Sequence, residues 1–241
     1  FIRGVLISLF LVIVARRRGA PLWGKRRGLL FLRGLLGSMA LLIYYRSAQI
    51  LPLGDAVLLQ YTNPIWVAVL APVFLHERTN PRHYWAVGLA ILGVAIVAHP
   101  EGRLAPESLL ALGGALCSAF AYLTVRVLVR TERATTIMLW FPATSVVLTL
   151  PVMVALGKDV LPQTGLQWWG SLLVTVTALL GQWTLTLGLA RAPAARATAT
   201  TLAGPVFGVV WGLMLLGEVP GTHAWVGALL VMAALAVISR R

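Results

Sequence analysis

Acidic side chains are scarce in this chain. Seven Asp and Glu stand against 20 Lys and Arg in 241 residues, and charged residues of both signs make up only 11%. A soluble domain carries roughly 25% charged and about 45–50% apolar residues; here 59% are apolar and the mean hydropathy is +0.87. Cysteine is nearly missing too. The lone Cys117 excludes an intrachain disulfide and any cysteine cluster for a metal. The four histidines, His76, His83, His99 and His223, all lie at the ends of apolar runs, so no run holds a histidine base or metal ligand. Neither G-x-S-x-G, H-E-x-x-H nor a phosphate-binding loop occurs, which leaves hydrolytic and ATP-driven chemistry unsupported. No metal, no cofactor and no enzymatic activity are expected, and no polar stretch is long enough for a soluble domain.

What the chain does have is apolar runs of membrane length. A bilayer-spanning helix needs roughly 17–25 mainly apolar residues, and nine segments fit or approach that ruler: 1–15, 29–50, 53–75, 80–98, 108–129, 135–156, 166–189, 193–216 and 219–238. The runs are continuous rather than alternating, which argues against a barrel. An all-α, polytopic membrane protein follows. The first segment, FIRGVLISLFLVIVA, is short and lacks a signal-peptide cleavage site, so it reads as the remainder of a helix that begins upstream of Phe1.

The net charge of +13 invites a nucleic-acid partner, but its distribution does not. With the Arg16–Arg27 linker placed in the cytoplasm, sixteen basic residues, Arg33 among them, fall on or near the inner side. Four (Arg3, Arg46, Arg103 and Lys158) fall nearer the outer side. That is the positive-inside asymmetry. It sets the C-terminus inside and requires no nucleic acid, with anionic lipid as a secondary partner.

Two stretches carry the same punctuation. Pro52, Ala56, Pro64, Val69, Leu75 and Glu77 recur as Pro193, Ala197, Pro205, Val210, Leu216 and Glu218, six identities over 26 ungapped positions. Five crossings separate the copies, an odd number, so they run in opposite directions. Inverted-topology repeats are a common way to build a transporter. The halves are residues 1–100, an incomplete repeat of four helices, and 106–241, a repeat of five, within one integrated membrane domain.

The stretch YYRSAQILPLGDAVLLQYTNPIWVAVLAPVFLHERTNPRHYWAVGLAILGVAIVAHP, the basic linker and the second P…P…GE copy resemble the EamA branch of the drug/metabolite transporter superfamily. The resemblance covers essentially the whole chain. It implies ten helices in two inverted five-helix repeats with both termini inside, the first helix being absent from this numbering. It also implies export, or sometimes import, of small metabolites such as amino acids, nucleotide-linked compounds or amphipathic drugs. The LPLGDA stretch is most similar to the subgroup that includes S-adenosylmethionine carriers.

The third segment holds the most chemistry. Asp55, Gln60, Tyr61, Thr62, Asn63 and Trp66 give it more polarity than a lipid-facing surface tolerates. Asp55, Thr62 and Trp66 share one helical stripe. Pro64 breaks the helix and frees the Gln60 carbonyl for solute or water, and Pro205 marks the equivalent break in the eighth segment. A substrate cavity is expected from Tyr44, Gln60, Tyr61, Asn63 and Trp66, with Thr198, Thr201 and Trp211 from the second copy. Arg46 and Asp55 are expected to meet near the outer mouth as a charge pair or gate, with helix capping by Asp55 and snorkelling of Arg46 as the plain alternatives. Glu77 and Glu218 close their apolar runs and read as structural. Gly204, Gly208 and Gly212 repeat every four residues, and packing inside the bundle is favoured over a homodimer.

The function expected is a secondary or facilitative transporter of small organic metabolites, an exporter in a bacterial inner membrane. A channel would show a charge ring or filter loop. It is the nearer rival, and an intramembrane enzyme the more distant one.

Overall fold

The computed structural model describes residues 1–76, 82–98, 106–155, 157, 161–199, 201, 211–215, 217, 219 and 221–239. Among these the regular structure is helical throughout. In chain order the helices are α1 (Ile2–Arg17), α2 (Arg27–Ile50), α3 (Leu53–Gln60), α4 (Asn63–Leu75), α5 (Arg82–Ala98), α6 (Pro106–Leu128), α7 (Ala134–Ala155), α8 (Gly165–Arg191), α9 (Ala194–Ala199) and α10 (Thr222–Ser239). Five stretches are long and apolar enough to cross a membrane: α2, α6, α7, α8 and the Leu53–Leu75 stretch that holds α3 and α4. A helix satisfies every backbone polar group internally, which is why runs this apolar adopt it. Side-chain hydroxyls inside the runs follow the same rule. Thr149, Thr175 and Thr186 each donate to the carbonyl four residues earlier.

The chain forms two compact units, and each draws on both sequence repeats: residues 1–38 with 124–191, and residues 39–123 with 192–241.

In the first unit α1 packs against α7 and α8 around Ile7, Leu11, Met138 and Leu139. Gly4 permits the approach, because a Cβ there would stand 2.9 Å from Val146 Cγ2 and 3.2 Å from the Pro142 carbonyl. The basic linker is tied down at several points. Glu132 Oε1 accepts from the backbone N–H of Lys25 at 2.6 Å and of Arg26 at 2.7 Å, immediately before and at the start of α2. An anion is favoured at a helix N-terminus. Arg133 donates to the carbonyls of Arg18 and Gly19 just past α1, and Thr136 to that of Pro21. Glu132→Ala is expected to cost about 1–3 kcal/mol, the range for charge-assisted hydrogen bonds, read as a lower unfolding temperature of the purified protein in detergent.

In the second unit the main packing is α5 on α10. Its core is rich in alanine: Ala68, Ala86, Ala90, Ala111, Ala195 and Ala234 are buried with Leu58, Leu59, Ile65 and Val231. Small side chains let helices approach closely, and Gly93 marks one such point between α5 and α10. A Cβ there would lie 2.8 Å from the Gly227 carbonyl and 2.9 Å from Leu230 Cβ. Since both are fixed by α10, Gly93→Ala is expected to destabilise by about 1–3 kcal/mol, the usual cost of overpacking, with the thermal midpoint as the readout.

The expected segments 29–50 and 135–156 fall within two residues of α2 and α7. The eighth, 193–216, is helical at 194–199 and 211–215. Glu77, Gly204, Pro205, Gly208 and Glu218 lie outside the described residues. Gly212 is buried.

Candidate functional site

The Leu53–Leu75 stretch is broken in its middle. α3 ends at Gln60, Tyr61 and Thr62 form a turn, and α4 starts at Asn63 with Pro64 in its first turn. Proline suits that position because its missing N–H would have no intrahelical acceptor there. The turn is held by side chains from its own sequence. Thr62 Oγ1 donates to the Leu59 carbonyl at 2.7 Å, and Asn63 Nδ2 donates to the Gln60 carbonyl at 2.8 Å. The expectation that Pro64 leaves the Gln60 carbonyl open for solute is therefore corrected: the Asn63 amide occupies it. The break also means that Asp55, Thr62 and Trp66 do not lie on one continuous helix.

Gln60 reaches to α6, where its Nε2 donates to Ser118 Oγ at 2.8 Å. One turn earlier, Gly114 leaves room for this amide: a Cβ there would stand 3.2 Å from Gln60 Oε1 and 2.8 Å from Ile43 Cγ2 of α2. After these bonds are made, three buried polar atoms of the broken helix have no hydrogen-bond partner among the described residues: Gln60 Oε1, Asn63 Oδ1 and Trp66 Nε1. Asn63 is only 4% exposed. Asn63 and Trp66, three apart on α4, are neighbours on that helix, and Gln60 is tied to Asn63 across the turn. Each such atom costs about 1–3 kcal/mol when left without a partner in a dry interior.

The other sequence-predicted residues separate. Tyr44 is half-buried, its ring 5.8 Å from that of Tyr45, and Tyr61 is half-buried at the turn. Thr198 is fully buried, but its hydroxyl donates to the carbonyls of Ala194 and Ala195 at 2.9 and 3.2 Å. Thr201 likewise donates to Thr198 O at 2.7 Å. These hydroxyl protons are engaged by their own backbone and do not project as cavity donors. Trp211 is 48% exposed, at the surface instead of inside.

The expected Arg46–Asp55 pair is absent among the described residues. Asp55 meets His223 instead, with Nε2 3.8 Å from Oδ2, and Arg46 is exposed. The physical reason is the turn at Leu51 and Pro52: Asp55 sits in the first turn of α3, where α10 and not the end of α2 brings it a partner. Nor does Asp55 act as the N-cap, which is Pro52 with no side-chain cap bond.

One basic residue of the inner-side set is buried within the protein. Arg33 is 2% exposed, inside α2. The signal was legible in FLRGLLG, an arginine flanked by leucines well inside an apolar run.

Long apolar helices with exposed Leu, Val and Trp define a polytopic helical membrane protein. The chain belongs to the EamA-like transporter family, whose profile matches residues 1–98 and 106–240. It is similar to the pseudopaline exporter of Pseudomonas aeruginosa, at 28% identity over 100% of this chain and 84% of that protein. It is also similar to a riboflavin transporter of Rhizobium johnstonii, at 26% identity over 86% and 68%, and to human solute carrier family 35 member G1, at 22% over 86% and 61%. A solved crystal structure matches 98% of this chain and 84% of its own with a TM-score of 0.70 at 17% identity, which is a likeness of fold. The protein is an integral membrane transporter of a small molecule, and not an enzyme.

Proposed function

We propose that this chain exports small polar organic metabolites across a bacterial inner membrane. The broken helix α3–α4 forms the wall that receives the solute. One observation carries the reading: Gln60 Oε1, Asn63 Oδ1 and Trp66 Nε1 are buried, close in sequence and without a hydrogen-bond partner among the described residues. Similarity to an exporter of pseudopaline and to a riboflavin transporter supports a polar organic solute, and the first of these supports outward flux. The repeats 1–100 and 106–241 have inverted topology in this reading. Alternating access exchanges the side to which the cavity opens, and the C-terminus is cytoplasmic by the arginine bias.

The test is export profiling. Bacteria expressing the wild type are compared with cells expressing Gln60→Leu at equal membrane abundance, and the medium is analysed for solutes enriched only by the wild type. A set of polar metabolites enriched by the wild type alone supports the proposal. Identical media contradict it.

A further inference from the structure

A second feature lies in the other compact unit, away from the broken helix, and does not depend on the solute. The stretch 16–27, which joins α1 to α2, carries Arg16, Arg17, Arg18, Lys25, Arg26 and Arg27, and all six are exposed. Charges of one sign at this density repel one another, and a slack loop would spread them into water. This loop is held in a fold. Gly24, at φ +60°, turns the chain where a Cβ would stand 2.5 Å from Leu30 Cδ1 and 2.8 Å from Glu132 Oε2. Arg133 and Thr136 hold the backbone at Arg18, Gly19 and Pro21, and Glu132 holds it at Lys25 and Arg26.

The fold also decides where the loop lies. Trp23 is 64% exposed, and its ring meets that of Trp140 on α7 edge to face, with centroids 6.0 Å apart. Trp140 stands six residues beyond the start of α7, about 9 Å along the helix axis. The loop therefore doubles back along the side of an apolar helix instead of projecting away from it. Arg18 leans onto the neighbouring helix, its Cζ 5.7 Å from the centroid of the Trp183 ring on α8. Indole rings settle at the headgroup level of a bilayer, and basic side chains at that level are drawn to anionic lipid. An exposed indole and six cations are here fixed together on one short loop.

We propose that this loop is a docking surface for anionic phospholipid headgroups. Trp23 enters the headgroup layer beside Trp140, and Arg16 and Arg17 on one arm and Lys25, Arg26 and Arg27 on the other meet the lipid phosphates. A lipid is preferred to free phosphate because the indole offers apolar contact that phosphate does not use. It is preferred to nucleic acid because the loop is tied back against helices of membrane-spanning length.

The experiment heats the purified full chain in uncharged detergent with phosphatidylglycerol, phosphatidylcholine, inorganic phosphate or a single-stranded RNA, at constant ionic strength. Without a bilayer, the part these charges play in setting orientation does not enter the result. Phosphatidylglycerol is expected to raise the unfolding temperature saturably, by about 3–6 °C at ten times its apparent dissociation constant, and the other three to leave it unchanged. Lys25→Gln, Arg26→Gln and Arg27→Gln together keep the backbone N–H groups that Glu132 binds, and should weaken phosphatidylglycerol by at least about tenfold. Trp23→Ser leaves the net charge unchanged and should weaken it as well, which a general attraction between opposite charges would not. Should the triple variant fail to fold, Arg16→Gln with Arg17→Gln decides in its place. Equal shifts from the two lipids, or a phosphatidylglycerol shift undiminished in the charge variants or in Trp23→Ser, overturn the proposal. So does stabilisation by phosphate or by RNA with none by phosphatidylglycerol, which assigns the loop to that ligand.

Discussion

Trp66→Phe is expected to transport about tenfold more slowly than the wild type while unfolding at the same or a higher temperature. The two halves of that outcome follow from one atom. Nε1 of Trp66 is buried with no acceptor among the described residues, so a phenyl ring in its place removes a polar group that costs free energy in the resting protein. A residue that serves packing alone would then be neutral or improved on both counts. Lost transport with kept stability therefore identifies the indole N–H as a donor to the solute. One hydrogen bond of about 1.4 kcal/mol corresponds to the tenfold change. Gln60→Leu should act in the same direction. It deletes the open acceptor Oε1, and Ser118, which loses the donor it accepts from, can turn its hydroxyl to its own helix. Asn63→Leu differs in kind. It removes the amide that holds the Gln60 carbonyl at the break, so it should lower stability as well as transport. Measured on one purified preparation, rate and unfolding temperature separate these cases. Wild-type rates in both Trp66→Phe and Gln60→Leu would return the cluster to helix packing.

The second large effect concerns Asp55. Asp55→Asn should reduce transport, and His223→Gln should do so to a similar extent. The double variant should be little worse than either single one. Non-additivity of this kind is the signature of a direct contact. The separation of 3.8 Å and the partial burial of both side chains place the coupling at about 0.5–1.5 kcal/mol, or roughly two- to twelvefold in rate. Arg46→Gln, by contrast, should combine additively with Asp55→Asn, since Arg46 is exposed and does not contact it. Coupling to Arg46 with none to His223 would restore the partnership read from the sequence and reject the one in the structure.

The pattern of these outcomes also marks how far the sequence reaches. Segment length and continuity are local properties of the chain, so helix bounds such as Arg27–Ile50 and Ala134–Ala155 were legible. The break near Pro64 was legible for the same reason: a residue without an N–H at a polar turn signals itself. Which partner a polar group finds is not local. The Gln60 carbonyl is taken by Asn63 three residues away, while Asp55 meets a histidine 168 positions later in the chain. Side-chain hydroxyls were misjudged because threonine in an apolar helix satisfies itself on its own backbone, as Thr198 does. The charge tally speaks only to the side of the membrane on which Arg33 lies; its burial depends on non-local neighbours such as Phe141, and on the space left at Gly37. Small-residue packing was expected at Gly204, Gly208 and Gly212, of which Gly204 and Gly208 lie outside the described residues; in the second unit Gly93 and Gly114 stand at close approaches.

Counterflow tests the central claim most directly. Proteoliposomes holding the purified protein are loaded with an excess of an unlabelled solute identified by the export profile, then diluted into a trace of the same solute carrying a label. A carrier that reorients with its solute bound returns label on the inward trip faster than empty protein can, so loaded vesicles should accumulate label transiently above the equilibrium level. Trp66→Phe vesicles should show a much smaller overshoot. Equal label entry into loaded and empty wild-type vesicles, with no overshoot, would contradict the account and make the protein a channel.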